Sequence, residues 1–384
     1  MTFEFATAHR VIFGPGSFRE VGAIAKEFGR RALVVTGKSD VRAQPLGELL
    51  AAAGVAWDVF AIAGEPTTHA VCEGVAHASA AECDCVIGFG GGSAIDGAKA
   101  IAGLLTNDGE LLDYLEVIGR GLPLKKPAAP LMAIPTTAGT GAEVTRNSVL
   151  ASPEHRVKAS LRSPHLLPRV ALVDPELTVN LPPDLTASTG MDALTQLIEP
   201  YVCVRANPMT DALCVEGMRR VARSLRRAFE DGDDPLARAD MALASMFGGM
   251  ALANAGLGAV HGFAAPIGGM FPAPHGAVCA ALLPGVMEAN IRALRDRAQG
   301  HVALHRYDEV ARILTGQPQA NADDGVAWVR ELCGEMSIAS LRTWGLRKES
   351  VFELVEKASQ ASSMQVNPVL LTRAELCDVM AAAL

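Results

Sequence analysis

Residues 85–103, CVIGFGGGSAIDGAKAIAG, carry an unbroken apolar run into three glycines and a serine, and then into residues spaced as in a helix. A strand buried on both faces reads as a continuous apolar run, which is the mark of a parallel sheet covered by helices. Gly90, Gly91 and Gly92 allow a sharp turn and a close approach of backbone N–H groups to a ligand, because no Cβ stands in the way. Ser93 then opens a helix whose N-terminal end favours an anion, so the segment is suited to a diphosphate. It matches neither the G-x-G-x-x-G spacing nor the Walker ending, and a plain tight turn is the alternative. Asp96 and Lys99, in the first two turns of the helix, could contact a cofactor or substrate or form an ordinary surface pair.

Around this unit, β-branched runs at 32–36, 55–60, 85–88, 131–135 and 170–174 alternate with helical patterns near 41–53, 70–81 and 93–106. That alternation predicts a parallel sheet with crossover helices. Residues 134–145, IPTTAGTGAEVT, place Thr136, Thr137, Thr140 and Thr145 just after a strand. Ligands of open α/β sheets bind beyond the carboxyl ends of the strands, which is where this segment must lie. After Pro182-Pro183 the strand-like runs stop, and Ala, Leu, Met, Arg and Glu at helical spacing continue to Leu384. The pattern predicts residues 1–180 as an α/β nucleotide-binding domain and residues 181–384 as an all-helical domain, with a cleft at their junction.

A chain of 384 residues exceeds one ordinary core, and 49% apolar against 20% charged residues supplies ample material for burial. The net charge of −8 gives no global field for a polyanion, so nucleic acid is not an expected partner. Arg219, Arg220, Arg223, Arg226 and Arg227 alternate with Met218, Val221 and Leu225 and read as the solvated face of an amphipathic helix. The eight cysteines lie mostly in apolar runs without staple-like spacing, which implies a reducing compartment. The lone Cys83–Cys85 pair reads as core packing. Residues 1–14 do not form a signal or transit peptide, and no uninterrupted apolar stretch reaches bilayer length. The expectation is a cytoplasmic protein with no membrane partner.

The pieces Gly90-Gly91-Gly92-Ser93 with Asp96 and Lys99, residues 135–145, Asp174-Pro175-Glu176-Leu177, Gly190-Met191-Asp192-Ala193-Leu194, His261-Gly262 and Pro274-His275-Gly276 follow one another over essentially the whole chain. In that order they resemble the iron-containing alcohol dehydrogenase family. The resemblance implies the dehydroquinate synthase-like fold, an N-terminal nucleotide-binding domain and a helical metal-binding domain, and a homodimer. It implies a hydride transferred between NAD or NADP and a small alcohol or aldehyde, on one divalent metal, iron or zinc, in the interdomain cleft. The glycine–serine turn would hold the pyrophosphate, with Thr136, Thr137 and Thr140 on the cofactor. Lys158 matches a position near the nicotinamide end, where a solvated strand lysine is the alternative.

The family's metal ligands are an Asp and three His. Asp192, Gln196, His261 and His275 stand in those places, so one histidine is replaced. Gln196 could bind through its carbonyl oxygen or leave the position to water. Another family histidine, four residues after His261, is here Ala265. Two histidines each followed by glycine could also be satisfied helix-terminus residues. His301 and His305 read as surface histidines. The family's ribose-binding Asp after the first strand is replaced by Gly37, and Lys38 and Ser39 could accommodate a 2′-phosphate. A maleylacetate reductase-type reduction, a dehydroquinate synthase-like metal-dependent lyase and a binding protein without catalysis are the alternatives.

Overall fold

The computed structural model describes residues 2–38 and 40–384. One compact unit is Ala6–Thr137 with Gly141–Thr178; the other is Val179–Leu384 with a short N-terminal segment and Ala138–Thr140.

In the first unit the strands are β1 (Arg10–Phe13), β2 (Arg31–Thr36), β3 (Ala56–Ala61), β4 (Cys85–Gly90), β5 (Leu131–Pro135), β6 (Asn147–Ser152), β7 (Val157–Arg162) and β8 (Val170–Val173). Its helices are α1 (Val21–Phe28), α2 (Gln44–Ala52), α3 (Thr68–Ala80), α4 (Gly92–Leu104) and the single turn α5 (Leu111–Tyr114). Six strands form a parallel sheet in the order β1-β8-β5-β4-β2-β3. Successive side chains of a strand point to opposite faces, and the cores divide accordingly. Leu33, Val35 and Val86 pack with Val71 of α3 and Ile101 of α4. Ala32, Val34, Cys85 and Ile87 pack with Ile24 of α1 and Leu50 of α2. Helices therefore cover both faces, which is why β4 is buried at every residue.

From β2 the chain crosses outward to β3, whereas β4, β5 and β8 extend on the other side of β2. The reversal between β2 and β4 opens a crevice at their carboxyl ends, the usual ligand position in such a sheet. The five strands read from the sequence are present. The structure adds β1 and the antiparallel pair β6–β7. Those two were hidden because NSVLAS and VKASLR mix small, polar and apolar residues, with only one face buried.

The second unit contains α6 (Pro183–Val202), α7 (Pro208–Glu230), α8 (Pro235–Asn254), α9 (Ala259–Met270), α10 (His275–Arg297), α11 (Val302–Thr315), α12 (Ala322–Glu335), α13 (Val351–Ser359) and α14 (Arg373–Ala383). No strand follows β8 among the described residues. α6 is central, with nearly every residue from Gly190 onward buried. Among the described residues α10 is the one single helix with the length and apolar content of a membrane span, yet most of it is buried within the protein, as in a core helix. Four of the five arginines on the basic face of α7 pair with acids. Arg220 and Arg223 pair with Asp240, Arg226 with Glu335, and Arg227 with Asp234.

Lys99, on α4, is fully buried. Its Nζ donates to Thr145 Oγ1 (2.7 Å) and the Asn147 carbonyl (2.8 Å), with Asp96 Oδ1 at 3.5 Å. The other Asp96 oxygen accepts from the Val149 N–H at 3.0 Å. Thus the pair stitches α4 to β6. Glu143 is buried in the same region, and burial lifts its pKa from 4.5 to about 7 against the opposing pull of its backbone hydrogen bond and of Lys99.

A carboxyl whose pKa is higher folded than unfolded binds extra protons in the folded state between those two values. Stability conferred by that proton is lost as pH rises from 4.5 to about 7, by up to roughly 3 kcal/mol. Glu143→Gln keeps the shape without the charge. Denaturant midpoints of the variant and wild type should therefore coincide below about pH 4.5, separate as pH rises to about 7, and keep a constant gap above it, with the variant more stable. Parallel curves across the range would contradict the assignment.

Candidate functional site

Two residue groups are the candidates for the chemistry. In the helical unit, Asp192 projects from the middle of α6, His261 from the first turn of α9, and His275 and Cys279 from the first two turns of α10. Asp192 Oδ1 lies 3.4 Å from His261 Nε2 and 3.6 Å from His275 Nε2. Cys279 Sγ lies 3.8 Å from His261 Nε2 and 3.7 Å from His275 Nε2. One donor atom from each of the four comes within 4.8 Å of every other. Asp192 is 1% exposed and its Oδ1 has no hydrogen-bond partner. His275 keeps 31% of its side chain exposed, so the cluster has an open side. α10 reaches α6 closely because position 276 is glycine: a Cβ there would stand 2.3 Å from the Ser188 carbonyl oxygen.

His261 is fixed from behind. Its Nδ1 lies 2.7 Å from Glu199 Oε2, while Glu199 Oε1 accepts from the Val260 N–H at 2.7 Å. With the Nδ1 proton given to a carboxylate, Nε2 presents its lone pair to the cluster. Burial opposes protonation of both imidazoles. Cys279 and Asp192, joined at His261 by Glu199, outweigh it and hold both pKa values above the ordinary one, well above for His261. For Asp192 burial is overcome by His275 and His261, so the carboxylate stays below its ordinary value. Three or four convergent donors with a partnerless carboxylate oxygen fit a divalent cation, which would displace the protons.

Gln196, one turn after Asp192 on α6, is buried and its Oε1 also lacks a partner. That oxygen lies 3.5 Å from where a Cβ on Gly248 would stand. Cys279 and Glu199 were not singled out from the sequence. The signals were present: Cys279 follows His275 by four residues, and Glu199 follows Asp192 by seven, each on one face of a helix.

The second group lies in the α/β unit at the reversal between β2 and β4. Gly90 ends β4 with φ +157°, and a Cβ there would meet the Ala94 methyl at 2.8 Å and the Gly37 nitrogen at 3.5 Å. Gly91 is the N-cap of α4 without any side-chain cap, so the first N–H groups of Gly92 and Ser93 are left to an outside acceptor. The Thr136 N–H donates to the Gly90 carbonyl at 2.9 Å, and Thr137 Oγ1 would be 3.4 Å from a Cβ on Gly91. The structure therefore brings the glycine turn together with Thr136, Thr137 and the start of the β2 loop, where Lys38 is exposed. Ser39 lies outside the described residues.

The remaining candidates lie elsewhere. Thr140 belongs to the segment that clusters with the helical unit. Asp96 and Lys99 form the buried brace to β6 rather than a surface pair. Lys158, 5% exposed on β7, pairs with Glu65 at 2.9 Å. His301 caps α11, accepting from the Ala303 N–H.

Comparisons agree with both halves. The model of the iron-containing alcohol dehydrogenase family matches residues 8–175, and that of the family's C-terminal region matches residues 186–384. The lactaldehyde reductase of Escherichia coli K12 is 35% identical over 381 residues, 96% of each chain. A crystal structure of a 1,3-propanediol oxidoreductase superposes with a TM-score of 0.92 at 32% identity over all of both chains. A sulfoacetaldehyde reductase from Bifidobacterium kashiwanohense, solved with NAD+, gives a TM-score of 0.87 at 30% identity over 99% of this chain and 98% of that one. The chain belongs to the iron-containing alcohol dehydrogenase family. It is an alcohol or aldehyde oxidoreductase acting on small molecules.

Gly90→Ala places a methyl group against Ala94 at a φ that side chains rarely adopt, at a cost of roughly 1–3 kcal/mol. Thermal unfolding should move down by several degrees, and an unchanged midpoint would show that the turn does not need its glycine.

Proposed function

We propose that the chain transfers hydride between NAD or NADP and a small alcohol or aldehyde, with one divalent metal, iron or zinc, held through Asp192, His261 and His275. The observation that carries this reading is the buried, partnerless Asp192 Oδ1 beside two imidazole Nε2 atoms. A bound divalent cation supplies Lewis acidity that polarises the substrate oxygen. Glu199 orients His261 and keeps its Nε2 directed at Asp192. The uncapped start of α4, with Gly90, Gly91, Gly92 and Ser93, supplies N–H donors and a positive helix end to the cofactor pyrophosphate. Thr136 and Thr137 border that turn. At Ala265 no imidazole is present to relay a proton, so another group or water would carry it. The Asp192, His261 and His275 set favours this reading over a metal-free reductase of the maleylacetate type.

Gly37 offers no carboxylate to the adenine ribose, and Lys38 beside it suits a 2′-phosphate. Both nicotinamides therefore fit, with Lys38 acting on NADP alone.

Purified protein should hold about one metal per chain and oxidise NADH or NADPH against members of an aldehyde and keto-acid panel. Chelation should abolish turnover and metal should restore it. Full turnover after complete metal removal would move the chain to the maleylacetate-type reductases, and failure to bind either nicotinamide would sink the reading. Lys38→Ala should raise the KM for NADPH several-fold and leave that for NADH unchanged; equal effects on both would remove the phosphate role.

A further inference from the structure

We propose that Cys279 takes the ligand place that Gln196 does not fill, making an Asp192–His261–His275–Cys279 set that selects zinc or cobalt over iron(II). This rests on the reading of the cluster as a metal site. With metal–N and metal–O bonds of about 2.0–2.1 Å and metal–S of about 2.3 Å, a regular tetrahedron sets N/O neighbours about 3.3 Å and N/S neighbours about 3.6 Å apart. The carboxylate–imidazole separations here are 3.4 and 3.6 Å, and the sulfur–imidazole separations are 3.8 and 3.7 Å. These four separations lie within a few tenths of an ångström of those figures, and every pair in the set lies within 4.8 Å.

Chemistry points the same way. Asp192 and a Cys279 thiolate together carry two negative charges, which match a buried divalent cation, whereas the Gln196 amide is neutral and a weaker donor. Thiolate sulfur is a soft ligand that favours zinc over iron(II). On binding, the Cys279 S–H bond gives way to a sulfur–metal bond, the proton leaves to solvent and no electron is transferred. The exposed edge of His275 leaves the cluster open on one side.

The test uses the full chain stripped of metal and loaded with cobalt(II). The wild type should show a near-ultraviolet thiolate-to-cobalt charge-transfer band, which Cys279→Ser removes while the visible cobalt bands persist, with affinity reduced roughly tenfold or more. Offered equimolar iron(II) and zinc without oxygen, the wild type should retain zinc, and Cys279→Ser should retain a larger share of iron. X-ray absorption of the zinc-loaded wild type, which depends on no variant, should show one sulfur neighbour at about 2.3 Å. Cobalt bound without sulfur, or a charge-transfer band that survives in Cys279→Ser, overturns the assignment of Cys279 and leaves the metal site standing. A wild type that binds neither cobalt nor zinc overturns both.

Discussion

A carboxylate buried in the centre of a helix is costly unless something compensates its charge, and Asp192 sits at the centre of α6 with one oxygen lacking any hydrogen-bond donor. The helical unit is arranged around that cost. α6 is enclosed by apolar side chains, yet along one face it carries Asp192, Gln196 and Glu199, one and two turns apart. Thr195 escapes the problem by bonding back to the Met191 carbonyl. His261 lies between the two carboxylates, with Nε2 toward Asp192 and Nδ1 on Glu199, so one imidazole ties both ends of the polar stripe. α9 and α10 must meet α6 near their N-termini for this to occur. Gly276 permits the approach on the α10 side, where any side chain would strike the Ser188 carbonyl.

The α/β unit solves a different problem with different material. Its candidate ligand groups are mostly backbone N–H groups, and the side chains nearby serve to hold that backbone still. β4 ends at Gly90, α4 starts without a side-chain cap, and the Thr136 N–H ties the next strand to the Gly90 carbonyl. Behind them Lys99 is buried with three partners, and each Asp96 oxygen has its own. The brace fixes α4 relative to β6. A turn that must present donors to an anion gains from a helix that does not move when the anion arrives.

Much of this was legible in the sequence, for a physical reason: period and composition report burial. The apolar run at 85–90 and the glycines after it located β4, the turn and α4, and the loss of β-branched runs after Pro182-Pro183 marked where helices take over. Asp192, His261 and His275 were found by their ordered motifs, and the structure brings them together. What stayed hidden depends on tertiary contacts that no local pattern encodes. Lys99 read either as a cofactor or substrate contact or as half of a surface pair, because lysines are seldom fully buried, and only the proximity of Thr145 and Asn147 makes its burial tolerable. Cys279 looked like core because it stands in an apolar run and buried cysteines commonly pack as small hydrophobes. Glu199 carried no motif at all.

The case of Cys279 bears on how a site departs from its family. Reading ligands position by position makes Gln196 a loss, because the histidine expected one turn after Asp192 is gone. A cation, however, responds to donors in space and not to their places along the chain. The vacated position is on α6, and the sulfur arrives from α10, one turn after His275, at nearly the same distance from both imidazoles. With Cys279 in the proposed set, the residue at 196 need only fit the space beside Gly248, which a glutamine does. On that proposal a donor set is rebuilt by a single residue on a neighbouring helix, with the net ligand charge more negative by one and the softness of the site changed. In the proposed set, the departure at Gln196 is one half of an exchange whose other half lies 83 residues further along the chain.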